Sequence, residues 1–121
     1  MTTRNIITWL SACPVLAGAA LNPDYLPSYA GWSLSTVRET ARRDILGETR
    51  SVREIRITRR SSVRDGAERL RLLEELEDLA EWARENPPDT CRIRVSGLPQ
   101  FSSRNASGTE DLSVTLTLTD T

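Results

Sequence analysis

Few residues of this sequence carry side chains suited to acid-base or nucleophilic chemistry. The chain contains no histidine, so the commonest general base, which is also the usual partner of a serine or cysteine nucleophile, is missing. Its two cysteines, Cys13 and Cys91, are too few for a disulfide framework and have no histidine with which to complete a zinc site. We predict that both cysteines are buried and reduced.

Carboxylates are the remaining candidates for catalysis or metal binding. Asp78 and Glu81 can in principle act as a general acid and base, and Glu74, Glu75 and Asp78 can in principle hold a cation. All of them fall on the polar side of one predicted amphipathic helix, where acids usually face solvent. The sequence also lacks the motifs of phosphate-binding loops, nucleophile elbows and zinc proteases. We therefore expect a non-enzymatic protein with no cofactor and no metal.

Charge is segregated along the chain although the net charge is only −1. Between residues 38 and 64, nine arginines stand against four acids, which gives a net charge of +5. Between residues 65 and 89, nine acids stand against three arginines, which gives a net charge of −6. Arginine forms planar, bidentate ion pairs at protein contacts, so two such segments suit surfaces that recognise each other. Neutralisation of the two segments within one subunit is the equally favoured alternative.

The arginine-rich segment is also a candidate for contact with nucleic acid. Its basic residues include Arg53, Arg56, Arg59, Arg60 and Arg64, which can follow a phosphate backbone. No aromatic residue lies within this run to stack on bases. A solvated or ion-paired sheet face is therefore the favoured interpretation, and subunit contact and nucleic-acid contact stay open as alternatives.

Two helices are predicted from apolar spacing and capping signals. A short N-terminal helix follows a threonine cap and is closed by Pro14. A long helix begins at Asp65, which forms a variant of the capping box with Glu68, and ends at Pro87. The apolar stripe of the long helix consists of Leu72, Leu73, Leu76, Leu79, Ala80 and Ala83.

Four strands are predicted at residues 32–37, 49–60, 91–96 and 112–119. The last has the most regular alternation, and burial of each of its four apolar side chains contributes about 1.5 to 3 kcal/mol. A polar loop is predicted at residues 100–111.

One irregularity is expected in the second strand. Val52 is out of phase with Ile55, which predicts a β-bulge near Arg53.

The order of these elements predicts a single α+β domain over residues 1–121. We expect a mostly antiparallel sheet of about four strands, covered on one face by the long amphipathic helix and the short N-terminal helix. No apolar run approaches the roughly 20 residues of a membrane-spanning helix. Leu10-Ser11-Ala12-Cys13 resembles a lipobox, and a lipoprotein remains an alternative, but the apolar run before it is too short for a signal sequence.

Several short motifs resemble those of a known group of proteins. They are Ile6-Ile7-Thr8-Trp9-Leu10, Cys13-Pro14, the turn Asn22-Pro23-Asp24-Tyr25-Leu26-Pro27, and the helical segment from Leu76 that ends in Ala80-Glu81-Trp82. Together these segments resemble small minor capsid or tail-terminator-type proteins of long-tailed phages and prophages. The resemblance extends over most of the chain and rests on short structural motifs.

The resemblance implies a tail-terminator-like structural protein of the virion tail. Such a protein caps the head-proximal end of the tail tube as a homo-hexameric ring, binds the tail tube protein and the head connector or stopper protein, and is assembled in the host cytoplasm. It has no small-molecule substrate and no membrane partner, and DNA only passes through the ring lumen. The alternatives are another head–tail connector or minor capsid component, or a nucleic-acid-contacting adaptor.

We predict two subunit contacts for such a ring. The first joins basic residues of one copy to acids of the next, namely Arg53, Arg56 and Arg59 to Glu74, Glu77 or Asp78. The second uses the last strand, with Thr115 and Thr117, as a free sheet edge.

Overall fold

A single five-stranded sheet with helices on one face forms the described part of the chain. The computed structural model describes residues 1–43, 45–47 and 49–120. The elements are α1 (Thr3–Leu10), a 3₁₀ turn (Pro14–Leu16), β1 (Leu21–Pro23), β2 (Gly31–Arg43), β3 (Thr49–Ser62), α2 (Gly66–Glu85), β4 (Cys91–Arg104) and β5 (Thr109–Asp120). The strand order is β1-β2-β3-β5-β4. β1 pairs with β2 in parallel and all other pairs are antiparallel.

The mixed α and β architecture is confirmed in its coarse form, with five strands rather than four. The additional strand is β1, a three-residue segment beside β2. It lies in a region rich in proline and glycine, where no alternation of apolar residues marks a strand. This segment is a strand because its backbone pairs with β2. The residues of the segment alone do not indicate that pairing.

The long helix α2 begins and ends where its capping signals predict. The Asp65 side chain accepts a hydrogen bond from the Glu68 backbone N–H at 2.9 Å, and the Glu68 carboxylate accepts one from the Arg64 N–H at 2.8 Å. These bonds satisfy backbone donors that the first helical turn leaves free. The predicted stripe is buried except for Leu73, which is half-buried: Leu72, Leu76, Leu79, Ala80 and Ala83 all lie in the core.

The core lies between the helices and one face of the sheet. β5 supplies four buried side chains on this face, as its alternation predicts: Leu112, Val114, Leu116 and Leu118. Their cross-strand neighbours on β3 include Ile57, opposite Val114, and Ile55, opposite Leu116. The short helix α1 adds Ile6 and Leu10 to the same core. We call this sheet surface the covered face.

The indole of Trp9 connects α1 to the end of α2. Its Nε1–H donates to the backbone oxygen of Asn86 at 2.7 Å, and its ring lies 5.8 Å from that of Trp82. The Thr2 hydroxyl caps α1 by accepting from the Asn5 N–H at 3.1 Å. Both predicted helices are therefore present and are fixed against each other.

The predictions for β4 and the polar loop after it are wrong. β4 does not end at Gly97 but runs on to Arg104, and the turn between β4 and β5 is confined to residues 105–108. Three register shifts against β5, between Val95 and Ser103, absorb the glycine and the proline of this segment. An edge strand can carry a proline because its outer N–H groups have no ladder partner.

The predicted bulge lies on a different strand. β3 pairs with β5 without a shift from Val52 to Ser62, and the irregularity falls on β2 between Thr36 and Arg38. Val52 is therefore not brought into phase with Ile55. It lies on the opposite face of the sheet, beside polar residues.

Candidate functional site

The sheet surface opposite the helices is polar and carries four exposed arginines. We call it the open face. Its residues follow from the strand registers and comprise Ser35, Arg38, Thr40, Val52, Glu54, Arg56, Arg92, Arg94, Thr115, Thr117 and Thr119. Threonines of the interior strand β5 form its floor, because they alternate along the strand with the apolar residues of the covered face.

Arginines stand at both sides of this floor. One row across the sheet runs from Arg38 on β2 through Glu54 and Thr117 to Arg94 on β4. The groove between these side chains has a volume of about 360 Å³. With the usual spacing of about 4.8 Å between strands, β2 and β4 are about 14 Å apart, which exceeds the roughly 10–12 Å diameter of an α-helix.

Four arginines of the open face have no ion-pair partner in the described ranges. They are Arg38, Arg56, Arg92 and Arg94, and all are exposed. Glu54 is the one acid among them. Farther along the same face, Arg60 is already neutralised by Asp111, whose carboxylate it contacts at 2.8 Å. The middle of the open face therefore carries an uncompensated positive charge.

The outer side of α2 carries the complementary charge. We call this set the acidic face, and it consists of Glu74, Glu77, Asp78, Glu81 and Glu85. All five are exposed, and none forms an ion pair within the part of the chain that the structure describes. α2 turns its leucines toward the sheet, so the acidic face and the open face lie on opposite sides of one subunit.

The structure separates the three arginines that were predicted to act together. Arg56 lies on the open face, but Arg53 and Arg59 lie on the covered face. Arg53 contacts Glu39 at 3.4 Å and donates to the Thr3 hydroxyl at 3.3 Å. A β-strand alternates every residue, so positions three apart must point to opposite faces.

Arg59 is held by groups of its own subunit. Its guanidinium lies 5.2 Å from the centre of the Trp32 ring, and its Nε is 3.6 Å from the carboxylate of Glu75. Arg71 reaches the same carboxylate at 3.0 Å. Part of the basic segment is therefore neutralised internally, as one of the two alternatives predicts, whereas Arg56 is not.

The predicted residues of the last strand lie at the centre of the open face. Thr115 and Thr117 face the same surface as Arg56, and the hydroxyl of Thr117 has no hydrogen-bond partner among the described residues. The expectation that this strand is a free edge is wrong, because β5 pairs with β3 on one side and with β4 on the other. β4 occupies the edge of the sheet.

A second surface feature was missed at the level of sequence. On the helix side of the edge strand, a groove of about 270 Å³ opens between α2 and β4. Its apolar walls are Ala80, Val95, Leu98 and Pro99, and its rim carries Glu77, Glu81 and Arg84. This groove was missed because the strand is predicted from sequence to end at Ser96, which leaves Leu98 and Pro99 outside the strand.

The described residues do not form a metal site. They contain no group of three or more cysteines and acids that is placed to hold a metal ion. Cys13 and Cys91 are buried and free, as predicted. No helix among them is long and apolar enough to cross a membrane. The chemistry that this surface supports is ionic and polar contact.

Comparison with known proteins gives no match for this chain, either to a protein-family model or to a curated sequence.

Proposed function

We propose that this chain is a non-enzymatic structural subunit of a phage or prophage tail that assembles with its own copies into a ring. Its role there is that of a tail terminator, which caps the head-proximal end of the tail tube and joins it to the head connector. The alternative within the same class is a neighbouring connector or minor capsid component. The resemblance of the motifs supports the assignment to a tail. The two charged surfaces support the mode of assembly.

The observation that carries the proposal is that the unpaired arginines and the unpaired acids lie on opposite sides of one subunit. The arginines of the open face cannot reach the acidic face of their own α2, because the sheet and the core lie between them. They can reach the acidic face of another copy. Such a contact joins two different surfaces and is heterologous, so repetition generates a ring when the rotation closes.

The shapes of the two surfaces support the same contact. The strands that carry Arg38 and Arg94 are about 14 Å apart, and the small side chains of Thr115 and Thr117 leave the β5 part of the floor between them low. A neighbour's α2 placed there would cover the open face and set its acids between arginines on both sides. Complementary potentials of this kind fix orientation and suppress wrong partners.

Contact with nucleic acid is the second candidate for the open face. The same unpaired arginines favour it, since a cluster of cations can contact successive phosphates. Against it, the described face presents Val52 and threonines but no aromatic ring on which bases can stack. An adaptor of this kind would bind DNA with a strong dependence on salt and would lose that binding in Arg56→Glu/Arg94→Glu.

Two matched charge-reversal variants test the ring. One is Arg56→Glu/Arg94→Glu, which makes the open face acidic, and the other is Glu74→Arg/Asp78→Arg, which makes the outer side of α2 basic. We expect each variant alone to be monomeric, since its surfaces repel. A mixture of the two should assemble again with alternating subunits, because each altered surface then meets a complementary one.

The exposed Arg4→Glu on α1 is the control and should assemble normally, since Arg4 belongs to neither surface. Unchanged oligomers in both reversal variants would contradict the proposed contact. The tail assignment is tested separately, by searching for the chain in purified tail-like particles by mass spectrometry. Its absence from such particles would refute the assignment to a tail.

A further inference from the structure

The hairpin formed by β2 and β3 ends in an exposed apolar tip. Ile45 is fully exposed and Leu46 is 82% exposed. β5 accompanies β3 only as far as Val52, so the hairpin runs three further residue pairs, about 10 Å, beyond the last rung of that ladder. Two large aliphatic side chains therefore project into solvent at the end of a long arm.

A receptor of matching chemistry lies elsewhere on the subunit. The groove between α2 and β4 has walls of Ala80, Val95, Leu98 and Pro99 and a volume of about 270 Å³, which is large enough for a branched aliphatic side chain. Leu98 is 77% exposed. The groove is therefore open to a side chain that arrives from outside.

The tip cannot fill the groove of its own subunit. The groove lies on the helix side of β4, at the middle of that strand, whereas the tip lies past the ends of β2 and β3, which β5 separates from β4. A tip that enters such a groove must come from a second copy. The contact is again heterologous, with a knob on one surface and a hole on another.

The charges around the two features are complementary. Glu77 and Glu81 stand at the rim of the groove and have no ion-pair partner in the described ranges. Residues 41–51, which include the arm and the tip, carry three arginines against Asp44 and Glu48, a net charge of +1, whereas Glu77, Glu81 and Arg84 at the groove sum to −1. The acids at the rim belong to the acidic face, so this apolar contact is continuous with the contact between charged surfaces.

We propose that Ile45 and Leu46 of one copy insert between α2 and β4 of the next copy, against Leu98 and Val95, and anchor the ring. This inference rests on the proposed function and adds an apolar contact to the centre of the interface between copies. Exposed ion pairs contribute little to affinity on their own, whereas a buried aliphatic group surrounded by polar residues is the usual energetic centre of an interface.

The test uses Ile45→Glu and Leu98→Glu, two substitutions at exposed positions that leave the core intact. Each variant alone should lose assembly, with the dissociation constant raised at least tenfold. An equimolar mixture should form a heterodimer and nothing larger, because the intact tip of Leu98→Glu fits the intact groove of Ile45→Glu while the other tip and groove are blocked. Tyr29→Glu, at an exposed position outside both features, should assemble like the wild type.

Native mass spectrometry distinguishes the outcomes. Full-size oligomers in both variants would overturn the tip contact, and the charged-surface contact would stand if Arg56→Glu/Arg94→Glu still dissociates. Loss of assembly in Ile45→Glu but not in Leu98→Glu would also overturn it, since the tip would then dock elsewhere. Failure of the mixed variants to form a dimer would count against it in the same way. A wild-type chain that stays monomeric would remove both proposals.

Discussion

The guanidinium of Arg60 forms two parallel hydrogen bonds with the carboxylate of Asp111, from Nε to Oδ1 at 2.8 Å and from Nη2 to Oδ2 at 3.0 Å. The pair joins β3 to β5, where the two residues are cross-strand neighbours. Arg60 also donates from Nη1 to the backbone oxygen of Pro27 at 3.2 Å, so one side chain fixes the loop before β2 to the sheet. This arginine is structural, unlike Arg56 on the same strand.

Breaking the Arg60–Asp111 pair should destabilise the fold. We expect Asp111→Asn to lower the free energy of unfolding by about 2–4 kcal/mol, because it leaves a largely buried guanidinium without its counter-charge. Urea unfolding followed by tryptophan fluorescence measures the change. Asp65→Asn, which retains a side chain able to cap α2, is the control and should cost much less. Equal stability of the wild type and Asp111→Asn would refute the structural role.

Acid should destabilise the protein through two carboxylates of β5. The hydrogen bond from Arg60 holds the pKa of Asp111 below its usual value, and the hydrogen bond from Arg69 does the same for the pKa of Glu110. An unfolded chain binds protons at these groups near pH 4, whereas the folded chain binds them only at lower pH. Their contribution to stability is therefore complete above about pH 5 and is lost as the pH falls below about 4. Urea midpoints measured from pH 2 to pH 7 should show this loss, and Asp111→Asn should show a shallower one.

Neither cysteine should react in the folded protein. Burial, followed by the hydrogen bond and charge of Asp120, raises the pKa of the Cys91 thiol to about 11, and burial raises the pKa of the Cys13 thiol. Since the thiolate is the nucleophile, a disulfide reagent at pH 8 should label no thiol in native protein and two per chain in urea. Cys13→Ser should reduce the count in urea to one. Rapid labelling of the native chain would contradict this placement of the cysteines.

Arg56 and Arg59 provide a matched comparison of assembly with stability. Arg59→Met should lower the free energy of unfolding by about 1–2 kcal/mol, because Arg59 lies over Trp32 and contacts Glu75. Arg56→Met should change stability by less than about 0.5 kcal/mol, as is usual for exposed positions, yet weaken assembly. Thermal unfolding and sedimentation velocity measure the two effects. The opposite pattern would contradict an interface on the open face.

Local patterns were sufficient for the elements whose signals are complete within themselves. The cap at Asp65, the leucine stripe of α2 and the alternation of β5 each specify one element without reference to the rest of the chain. The continuation of β4 past Gly97 is different, because bulges opposite β5 accommodate the glycine and Pro99. The same holds for β1, which is identified as a strand only by its pairing with β2. Such features depend on pairing with another strand, which the pattern of the segment itself does not contain.

The candidate site was only partly predictable for a related reason. The segregation of charge is visible in the sequence, and alternation from Ile55 and Ile57 is enough to place Arg53 and Arg59 on the covered face. The position of the bulge at Val37 is needed to assign Arg38 to the open face, and no local pattern gives it. The knob at Ile45 and the groove at Leu98 are separated by more than fifty residues and become visible only in three dimensions.

The native mass of the wild-type protein tests the central claim most directly. We predict one closed oligomer of the 13.5 kDa chain, six copies by the resemblance to tail terminators, that persists on dilution and dissociates in Arg56→Glu/Arg94→Glu. A monomer at every concentration, with the same mass in the variant, would contradict an account in which opposite faces of neighbouring copies hold a ring together.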